Sequence, residues 1–200
     1  MAASFNFGLD PFLHFEEYFS QAQKKIGKDP NAMSLATVSR EGIPSVRTVL
    51  FKGLVREGFA FYTNYESPKA RDLEEQKRGA LLFFWREMDM QIRLEGVVEK
   101  LTRQESEAYF ATRNRLSQLG AWASHQSQVI SDHEVLERRV QELDKQFEGQ
   151  GVPCPSNWGG FHLLPLKFEF WFSRSGRLHE RYVYERVALK SGWKTSMRSP

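Results

Sequence analysis

Two neighbouring segments constrain the fold most, because their hydrophobic patterns are typical of strands at the centre of a sheet. Residues 80–85 form a continuous apolar run, which predicts a strand that is buried on both faces. Residues 91–99 alternate instead, with Ile92 and Leu94 on one face and Gln91, Arg93 and Glu95 on the other. The two patterns predict a sheet with a deep centre and one face that is free for polar side chains.

Shorter strand-like segments flank this centre. They cover residues 33–38, 46–51, 59–62, 166–172 and 178–186, with a short one near Trp193. Turn-prone Arg-Glu-Gly triplets separate the first three segments, which favours an antiparallel meander. Since no linker, internal repeat or low-complexity tract divides the chain, we expect one domain over residues 1–200. Its predicted fold class is mainly β, a mostly antiparallel, barrel-like sheet with helices packed outside it.

Two helices are indicated in the first half of the chain. Asp10 followed by Pro11 begins an amphipathic helix over about residues 10–26. Ser67 followed by Pro68 begins a charged helix that runs to about Lys77.

Two capping boxes indicate an insertion of two more helices over about residues 102–147. The boxes are Thr102-x-x-Glu105 and Ser131-x-x-Glu134, in which side chains satisfy the free backbone N–H groups of a helix start. A Pro- and Gly-rich loop over residues 151–160 is expected to lead back to the sheet.

Composition excludes several kinds of protein. The 28 basic and 25 acidic residues are well mixed, so the net charge of +3 gives little support for nucleic acid as a partner. A single cysteine, Cys154, excludes a disulfide framework, and the five histidines lack metal-ligand spacing, so no metal is expected. Neither a secretion signal nor a membrane-length apolar stretch is present, so we expect a cytoplasmic protein without a membrane partner. Dinucleotide-binding, P-loop and zinc-hydrolase motifs are also absent from the sequence.

The segment 177–181 carries a row of cationic groups. On an extended strand Arg177, His179 and Arg181 would share a face, because alternate side chains of a strand do. Two guanidiniums beside an imidazole favour a bound anion with a titratable group at its centre. A solvated edge strand is the alternative that this segment alone leaves open.

Tyr109, Arg113 and Ser117 form a second cluster, since their spacing of four would place them on one helix face. All three can donate hydrogen bonds to phosphate oxygens, although an ordinary polar helix surface would have the same spacing.

Two more clusters suit phosphate. Arg47 and Lys52 bracket a β-prone segment and have opposite parity, so they serve two different anions unless a bulge brings them together. Ser67-Pro68-Lys69 is either a phosphate-binding helix start or a simple cap. These dispersed clusters and the many aromatic residues favour a phosphorylated aromatic ligand or cofactor.

In this order, the clusters and the motifs around them resemble the pyridoxine 5′-phosphate oxidase family over nearly the whole chain. The matching motifs are Arg47-Thr-Val-Leu-Phe-Lys52, Phe61-Tyr-Thr-Asn64, Gln91-Ile-Arg-Leu-Glu-Gly96, Ser117-Gln-Leu-Gly120, Ser124-His-Gln-Ser127, Pro155-Ser-Asn-Trp-Gly-Gly160, Glu169-Phe-Trp171 and Arg177-Leu-His179. The resemblance implies an FMN-binding split β-barrel that works as a homodimer, with FMN at the subunit interface.

The resemblance also implies a role for individual residues. FMN contacts are implied for Arg47, Thr48, Val49, Leu50, Phe51, Lys52, Tyr62, Thr63, Lys69, Gln91, Gln126, Ser127, Trp171 and Arg181. Substrate contacts are implied for Lys52, Tyr109, Arg113, Ser117, Arg177, Leu178 and His179, of which Arg177 and His179 would be catalytic.

The implied reaction is oxidation of pyridoxine or pyridoxamine 5′-phosphate to pyridoxal 5′-phosphate. A hydride would pass from the substrate to FMN, and O2 would then accept the electrons and leave as H2O2. Two alternatives stay open at this point: a related FMN oxidase that acts on another ring, such as a phenazine precursor, and a non-catalytic protein that binds FMN or pyridoxal phosphate.

The chain departs from the family pattern in three places. Pro68 stands where the family usually has an arginine on the flavin phosphate, and Arg71, one turn on, is a candidate replacement. Phe172 replaces a usual glutamine, and the sequence ends Met197-Arg-Ser-Pro200 instead of in Arg-Leu-Ala-Pro.

Overall fold

A computed structural model describes residues 5–200, which form nine strands, five α-helices and two 3₁₀ helices. The strands are β1 Ala32–Val38, β2 Pro44–Leu50, β3 Leu54–Val55, β4 Gly58–Asn64, β5 Arg78–Trp85, β6 Met90–Lys100, β7 Trp158–Phe172, β8 Glu180–Glu185 and β9 Lys194–Arg198. The α-helices are α1 Pro11–Lys25, α2 Pro68–Gln76, α3 Arg103–Ala111, α4 Arg115–Ala123 and α5 Glu134–Gln146, and two 3₁₀ helices cover Arg86–Met88 and Ser175–Arg177.

The strands form one antiparallel sheet in the order β2-β1-β5-β6-β7-β4-β3. Strand β7 is the longest and has two successive neighbours on one side, since its first half pairs with β4 and its second half pairs with β8. Strand β9 then pairs with β8. The sheet is an open, split barrel with helices outside it, which confirms the predicted fold class. Among the described helices, none has both the length and the apolar character needed to cross a bilayer.

Helix α1 closes one side of an aromatic core. Asp10 caps it by accepting a hydrogen bond from the Phe12 amide at 2.8 Å, as the Asp-Pro start predicts. Phe15 is buried and its ring lies 4.6 Å from that of Phe59, between centroids. His14, which the hydrophobic pattern did not include, is also buried, and its Nε2 lies 2.9 Å from the Asn6 carbonyl.

The two central strands differ in how well they match their patterns. Strand β6 alternates between buried and half-buried side chains over most of its length, as predicted. Strand β5 was predicted to be buried on both faces, and that is wrong: Phe83 is buried but Phe84 is 60% exposed. No helix of the described chain covers the outer face of β5, so this apolar face is open.

The helical insertion contains three helices instead of the two predicted. The Thr102 capping box is confirmed, with the Glu105 carboxylate accepting from the Thr102 amide at 2.7 Å. The Ser131 box is wrong, because Asp132 accepts from the Val135 amide and the helix begins only at Glu134. The additional start lies between α3 and α4, where Asn114 accepts from the Ser117 amide at 2.8 Å.

The end of the 151–160 loop was also predicted wrongly, since Gly159 and Gly160 already belong to β7. Both positions need glycine for steric reasons. A Cβ on Gly159 would overlap the Tyr65 hydroxyl, and one on Gly160 would come within 2.6 Å of Leu101 Cδ1. These glycines are therefore sites of close packing within a strand.

Candidate active site

A cavity of about 640 Å³ lies between the sheet and the helical insertion. Its walls come from the end of β2, from β4, from the start of α2, from the α3–α4 junction and from the start of β7. Three cations line it, Lys52, Lys69 and Arg113, and none of its described lining residues is acidic. A cavity with three cations and no carboxylate is suited to an anionic ligand.

Lys69 marks one end of the cavity. Its Nζ donates to Gln126 Oε1 at 2.9 Å and to Thr63 Oγ1 at 3.2 Å, and the Thr63 hydroxyl donates to the same Gln126 oxygen. Burial, followed by the nearby positive charge of Arg47, lowers the pKa of Lys69 to about 8. All three residues are predicted FMN contacts, and they form one polar cluster around the Lys69 ammonium. The two oxygens that accept hydrogen bonds from this ammonium are both uncharged.

Arg47 and Lys52 are separated by the structure. Lys52 follows β2 and lines the cavity, whereas Arg47 does not. The Arg47 Nη1 donates to Thr37 Oγ1 at 2.7 Å and to the Leu35 carbonyl at 3.3 Å, and Thr37 donates in turn to Asp72. A buried hydroxyl and a carboxylate thus hold this guanidinium behind the Lys69 end.

The residues between Arg47 and Lys52 also differ in whether they line the cavity. Thr48, Val49 and Leu50 line the cavity. Phe51 is buried in the core, its amide donates to the Asn31 carbonyl, and its carbonyl accepts from the Asn31 side chain. Phe51 therefore does not line the cavity: its ring packs inward, and its amide and carbonyl already have partners.

Tyr109, Arg113 and Ser117 mark the other end and all line the cavity. The prediction that a single helix carries them is wrong, since α3 ends at Ala111 and α4 begins at Arg115. The three nevertheless come together because Arg113 lies in the short junction between the two helices. Its Nη1 is buried without a hydrogen-bond partner, and burial lowers the pKa of its guanidinium. An unpartnered buried donor beside a phenol and a hydroxyl fits an anion.

Three nearly parallel aromatic rings form one wall of the cavity. The Tyr62 ring lies 3.9 Å from that of Tyr109 and 5.4 Å from that of Trp158, with interplanar angles of 13° and 10°. Lys52 Nζ lies 5.9 Å from the Tyr109 centroid. Trp158 belongs to one of the sequence motifs, but no role was predicted for it, because residues 151–160 were expected to form a loop.

Three predicted residues form a separate group outside this cavity. Gln91, Trp171 and Arg181 lie side by side across β6, β7 and β8, in direct register. None of the three lines the cavity. The predicted FMN contacts are therefore distributed over two places on the chain.

The predicted row of Arg177, His179 and Arg181 on one strand is wrong. Residues Ser175–Arg177 form a 3₁₀ helix, Arg177 has a φ of +60°, and β8 begins only at Glu180. Gly176 and Arg177 are both left-handed, so this backbone cannot be extended. Arg177 and Leu178 are exposed, so neither lies in the cavity.

His179 has well-defined contacts close to this turn. Its Nδ1 accepts from the Arg174 amide at 3.1 Å, and its ring centroid lies 4.6 Å from that of Trp171. His179 therefore joins the group of Gln91, Trp171 and Arg181 instead of the cavity.

The remaining predicted positions lie outside the cavity. Ser127 has a φ of +68° and lines a neighbouring pocket, and Arg71 is exposed and absent from the cavity wall. Phe172 follows Trp171, so it faces the other side of β7, and its ring packs against Phe5 and Tyr18. The departure at Phe172 thus concerns packing of the first described residues.

Two family models together match most of the chain. The model described as "Pyridoxamine 5'-phosphate oxidase" matches residues 19–147, which include the whole polar cluster around Lys69. The model described as "Pyridoxine 5'-phosphate oxidase C-terminal dimerisation region" matches residues 158–200, which include Trp171 and Arg181.

Curated relatives match over nearly their full length. A pyridoxine/pyridoxamine 5′-phosphate oxidase from Bdellovibrio bacteriovorus is 50% identical over 196 residues, which cover 98% of this chain and 100% of the relative. A protein of the same name from Leptospira biflexa is 50% identical over 193 residues, which cover 96% of this chain and 90% of the relative.

Solved structures show the same fold. PhzG from Burkholderia lata 383, in complex with tetrahydrophenazine-1-carboxylic acid, matches with a TM-score of 0.89 and 31% identity, over 96% of this chain and 93% of that one. A pyridoxamine 5'-phosphate oxidase-related, FMN binding protein from Nostoc punctiforme matches with a TM-score of 0.77 and 17% identity, over 96% and 99%. The second likeness concerns the fold alone.

Proposed function

Because the chain belongs to the pyridoxamine 5′-phosphate oxidase family, we propose that it oxidises pyridoxine or pyridoxamine 5′-phosphate to pyridoxal 5′-phosphate, with FMN as cofactor and O2 as electron acceptor. The observation that carries the proposal is a cavity with two cationic groups, around Lys69 and around Arg113, an aromatic wall and no acidic residue in its described lining. One phosphate at each end would neutralise these cations. A phosphorylated substrate and the phosphorylated flavin would together supply the two phosphates.

The residues at the Lys69 end fit the phosphate of FMN. Lys69, Thr63 and Gln126 would hold it, with Arg47 adding positive charge from behind. Bound FMN would supply the acceptor for the substrate hydride, which no side chain of the chain can supply. Pro68 removes one cation that relatives use, so Arg47 and Lys69 carry more of the attraction to the phosphate.

The residues at the Arg113 end fit the phosphate of the substrate. Arg113 would donate from its unpartnered Nη1, Tyr109 and Ser117 would donate from their hydroxyls, and Lys52, whose Nζ lies near the Tyr109 ring, would donate as well. Holding the phosphate at one end fixes the substrate ring relative to the flavin, which lowers the entropic cost of hydride transfer.

Arg177 and His179 are proposed as the groups that act on the substrate ring. Because the Arg174 amide donates to His179 Nδ1, the proton of a neutral imidazole must be on Nε2. His179 can therefore donate a hydrogen bond or hold a proton at Nε2, while Arg177 would orient the ring.

We also propose that two copies of the chain form each active site. The cavity carries one set of FMN-binding candidates, and Gln91, Trp171 and Arg181 form another that does not reach it. The match to a dimerisation region covers β7 to β9, and the open face of β5 exposes Phe84. A homodimer would bring the group on one copy to the cavity of the other.

A related oxidase that acts on a phenazine precursor is the second candidate, because PhzG matches this chain with a TM-score of 0.89. The buried, unpartnered Nη1 of Arg113 requires an anionic group on the ring, and a carboxylate could also accept from it. Arg113, Tyr109 and Ser117 together favour a phosphate, because its three terminal oxygens can accept from all three donors. A carrier of FMN or pyridoxal phosphate would share the cavity but would not consume O2.

The test is aerobic turnover of pyridoxine 5′-phosphate by the purified protein supplied with FMN. We expect equal amounts of pyridoxal 5′-phosphate and H2O2, and the same products with ammonia from pyridoxamine 5′-phosphate. Arg113→Ala serves as the matched control and should lose affinity for both substrates. A flavin-loaded protein that forms neither product would contradict the proposal and would favour an oxidase for another ring or a carrier.

A further inference from the structure

The guanidinium of Arg113 owes its position to aromatic rings. It lies 4.7 Å above the Trp158 ring and 5.4 Å above the Phe110 ring, measured from Cζ to the centroids. No carboxylate of the described chain forms an ion pair with it, and its buried Nη1 has no hydrogen-bond partner. Most arginines that orient a ligand are held by hydrogen bonds to the protein, so this one depends on stacking.

The backbone around Arg113 cannot hold the side chain on its own. Arg113 lies between the last residue of the α3 cap, Thr112, and the N-cap of α4, Asn114. A long side chain on a two-helix junction has several rotatable bonds, and each free bond costs entropy when a ligand binds. A flat surface against the guanidinium removes much of that cost before binding.

Trp158 provides this surface because it is itself firmly packed. It is 6% exposed, its ring stacks on Tyr62, and it meets Phe110 edge to face at 5.0 Å. Its carbonyl accepts from Arg103 Nη1, and its amide donates to the Pro155 carbonyl at 3.2 Å. Because Trp158 is the first residue of β7, the sheet fixes its position, and its ring in turn restricts the Arg113 side chain in the helical insertion.

We propose that Trp158 is a positioning residue for the phosphate of the substrate: it holds the Arg113 guanidinium flat, with Nη1 free to donate to a phosphate oxygen. The inference rests on the proposed function and extends it, because it makes an indole that carries no charge responsible for the preference for phosphorylated over unphosphorylated substrates. Lys52 lies over the Tyr109 ring in the same wall, so both cations that are proposed to bind the substrate phosphate pack against aromatic rings.

The first experiment compares Trp158→Leu and Trp158→Phe in the FMN-loaded enzyme, with pyridoxine 5′-phosphate and pyridoxine as substrates. Leucine removes the aromatic face, so KM for the phosphate ester should rise about tenfold while kcat changes less than about twofold. Phenylalanine keeps a smaller face and should recover most of the affinity. The kcat/KM for pyridoxine should fall much less than that for the phosphate ester, since pyridoxine has no phosphate to bind.

Trp122→Leu is the matched control. This tryptophan lies in α4 of the helical insertion, packs on Phe147 and donates to the Pro153 carbonyl, but it does not line the cavity. It should leave both KM values unchanged. Equal losses for pyridoxine and its phosphate ester in Trp158→Leu would overturn the inference, because they would indicate a general effect on the cavity.

A second experiment changes the cation, Arg113, instead of the indole. Arg113→Lys keeps the charge but cannot lie flat on an indole, so it should raise KM for the phosphate ester as Trp158→Leu does. Combining Trp158→Leu with Arg113→Ala should add no loss beyond Arg113→Ala alone. Additive losses, or a wild-type KM in Arg113→Lys, would refute the positioning role, and the Lys variant decides even if Trp158→Leu fails to fold. A wild-type KM in Arg113→Ala would instead refute the phosphate assignment in the proposed function.

Discussion

Glu169 and Arg181 form a two-pronged ion pair on the outer face of the sheet. Glu169 Oε1 accepts from Arg181 Nε at 3.1 Å, and Oε2 accepts from Nη2 at 2.9 Å. Arg93 also donates to Oε2, at 3.0 Å, so one carboxylate that is only 3% exposed holds two guanidiniums. Because Arg181 lies beside Trp171, this pair fixes a cation in the group that is proposed to reach the flavin of a second copy.

Glu169→Gln should weaken FMN binding and stability together. The glutamine oxygen can keep at most two of the three hydrogen bonds, and its NH2 group would face a guanidinium. Arg181 also loses the carboxylate that pairs with it in the described structure, so the change should cost about 1–3 kcal/mol of unfolding free energy. Urea unfolding of the FMN-free protein and FMN titration by fluorescence quenching measure the two effects. Glu95→Gln is the control, since Glu95 contacts Arg93 at 3.4 Å but not Arg181. Equal FMN affinity in the two variants would contradict the role of the pair.

FMN affinity should fall as the pH rises through about 8, because Lys69 must be protonated to attract the phosphate. The folded-state pKa of about 8 is below the ordinary value of 10.5, so the unfolded chain binds more protons between these values. Burying the charged amine therefore destabilises the FMN-free fold below pH 8, and stability recovers as the pH rises towards 10.5. FMN affinity has the opposite trend and should fall by up to about tenfold per pH unit above 8.

The measurement is FMN titration between pH 7 and 9.5, a range in which a phosphate monoester stays a dianion. Lys69→Met should bind FMN weakly and lose this pH dependence. A wild-type affinity that stays constant over the range would show that Lys69 does not titrate on FMN binding.

Mixed dimers should regain activity that neither parent has. Lys69→Met damages the cavity, and Arg181→Ala damages the separate group on β8. If each active site combines the cavity of one copy with the group of the other, a heterodimer has one doubly damaged site and one intact site. Co-expression with two affinity tags should give about half of the wild-type activity per dimer. An inactive heterodimer would place both residues in the same copy's site.

Gly176→Ala should disturb Arg177 without unfolding the protein. Gly176 has a φ of +64°, and a Cβ there has only Leu178 Cγ nearby, at 4.0 Å, so the cost is conformational and about 1 kcal/mol. The exposed turn would shift, and kcat/KM for pyridoxine 5′-phosphate should fall severalfold. The unfolding temperature should fall by only about 2–4 °C and FMN affinity should match the wild type. A wild-type kcat/KM would argue against a role for Arg177.

Gly96→Ala should be among the more destabilising single-methyl changes in the chain. The residue lies at the bulge of β6, where a Cβ would overlap the Leu164 carbonyl oxygen of the neighbouring strand. Separating the two backbones should cost about 1–3 kcal/mol, measurable by urea unfolding. Gly151→Ala, where a Cβ would meet no atom within 4 Å, is the control and should be neutral within about 0.5 kcal/mol.

The sequence predicted those elements whose signals are local. Asp10 before Pro11 and the box of Thr102 and Glu105 are complete within one helical turn, and both helix starts are found where expected. The alternation of β6 is likewise a property of the strand alone. A pattern within a few residues was sufficient in each case, because no distant contact competes with it.

Predictions failed where a neighbouring residue, and not the one that the pattern indicated, determines where a helix or a turn begins. Asp132 takes the capping role that the pattern gave to Ser131, and Asn114 starts a new helix between Arg113 and Ser117. The run at 177–181 reads as a strand by alternation, although the Ser-Gly pair at 175–176 is a turn signal that would have warned against it.

The site was predicted in composition but not in arrangement. Tyr109, Arg113 and Ser117 meet in the cavity although their single-helix rationale is wrong, because both helices pack against the same start of β7. Trp158 was missed as a functional residue since nothing local links it to Arg113, which is 45 residues earlier in the chain. Such stacking depends on tertiary structure, which the sequence pattern does not contain.

Strand β7 has a consequence for how two active sites would be spaced. Trp158 begins it and Trp171 is next to its last residue, so their Cα atoms are roughly 40 Å apart along an extended strand. One ligand cannot span that length. In a dimer each β7 would run from the substrate end of one active site to the flavin face of the other. The length of β7 would then set the distance between the two active sites. A displacement of Trp158 on substrate binding would then have an unbroken backbone path to the second catalytic centre.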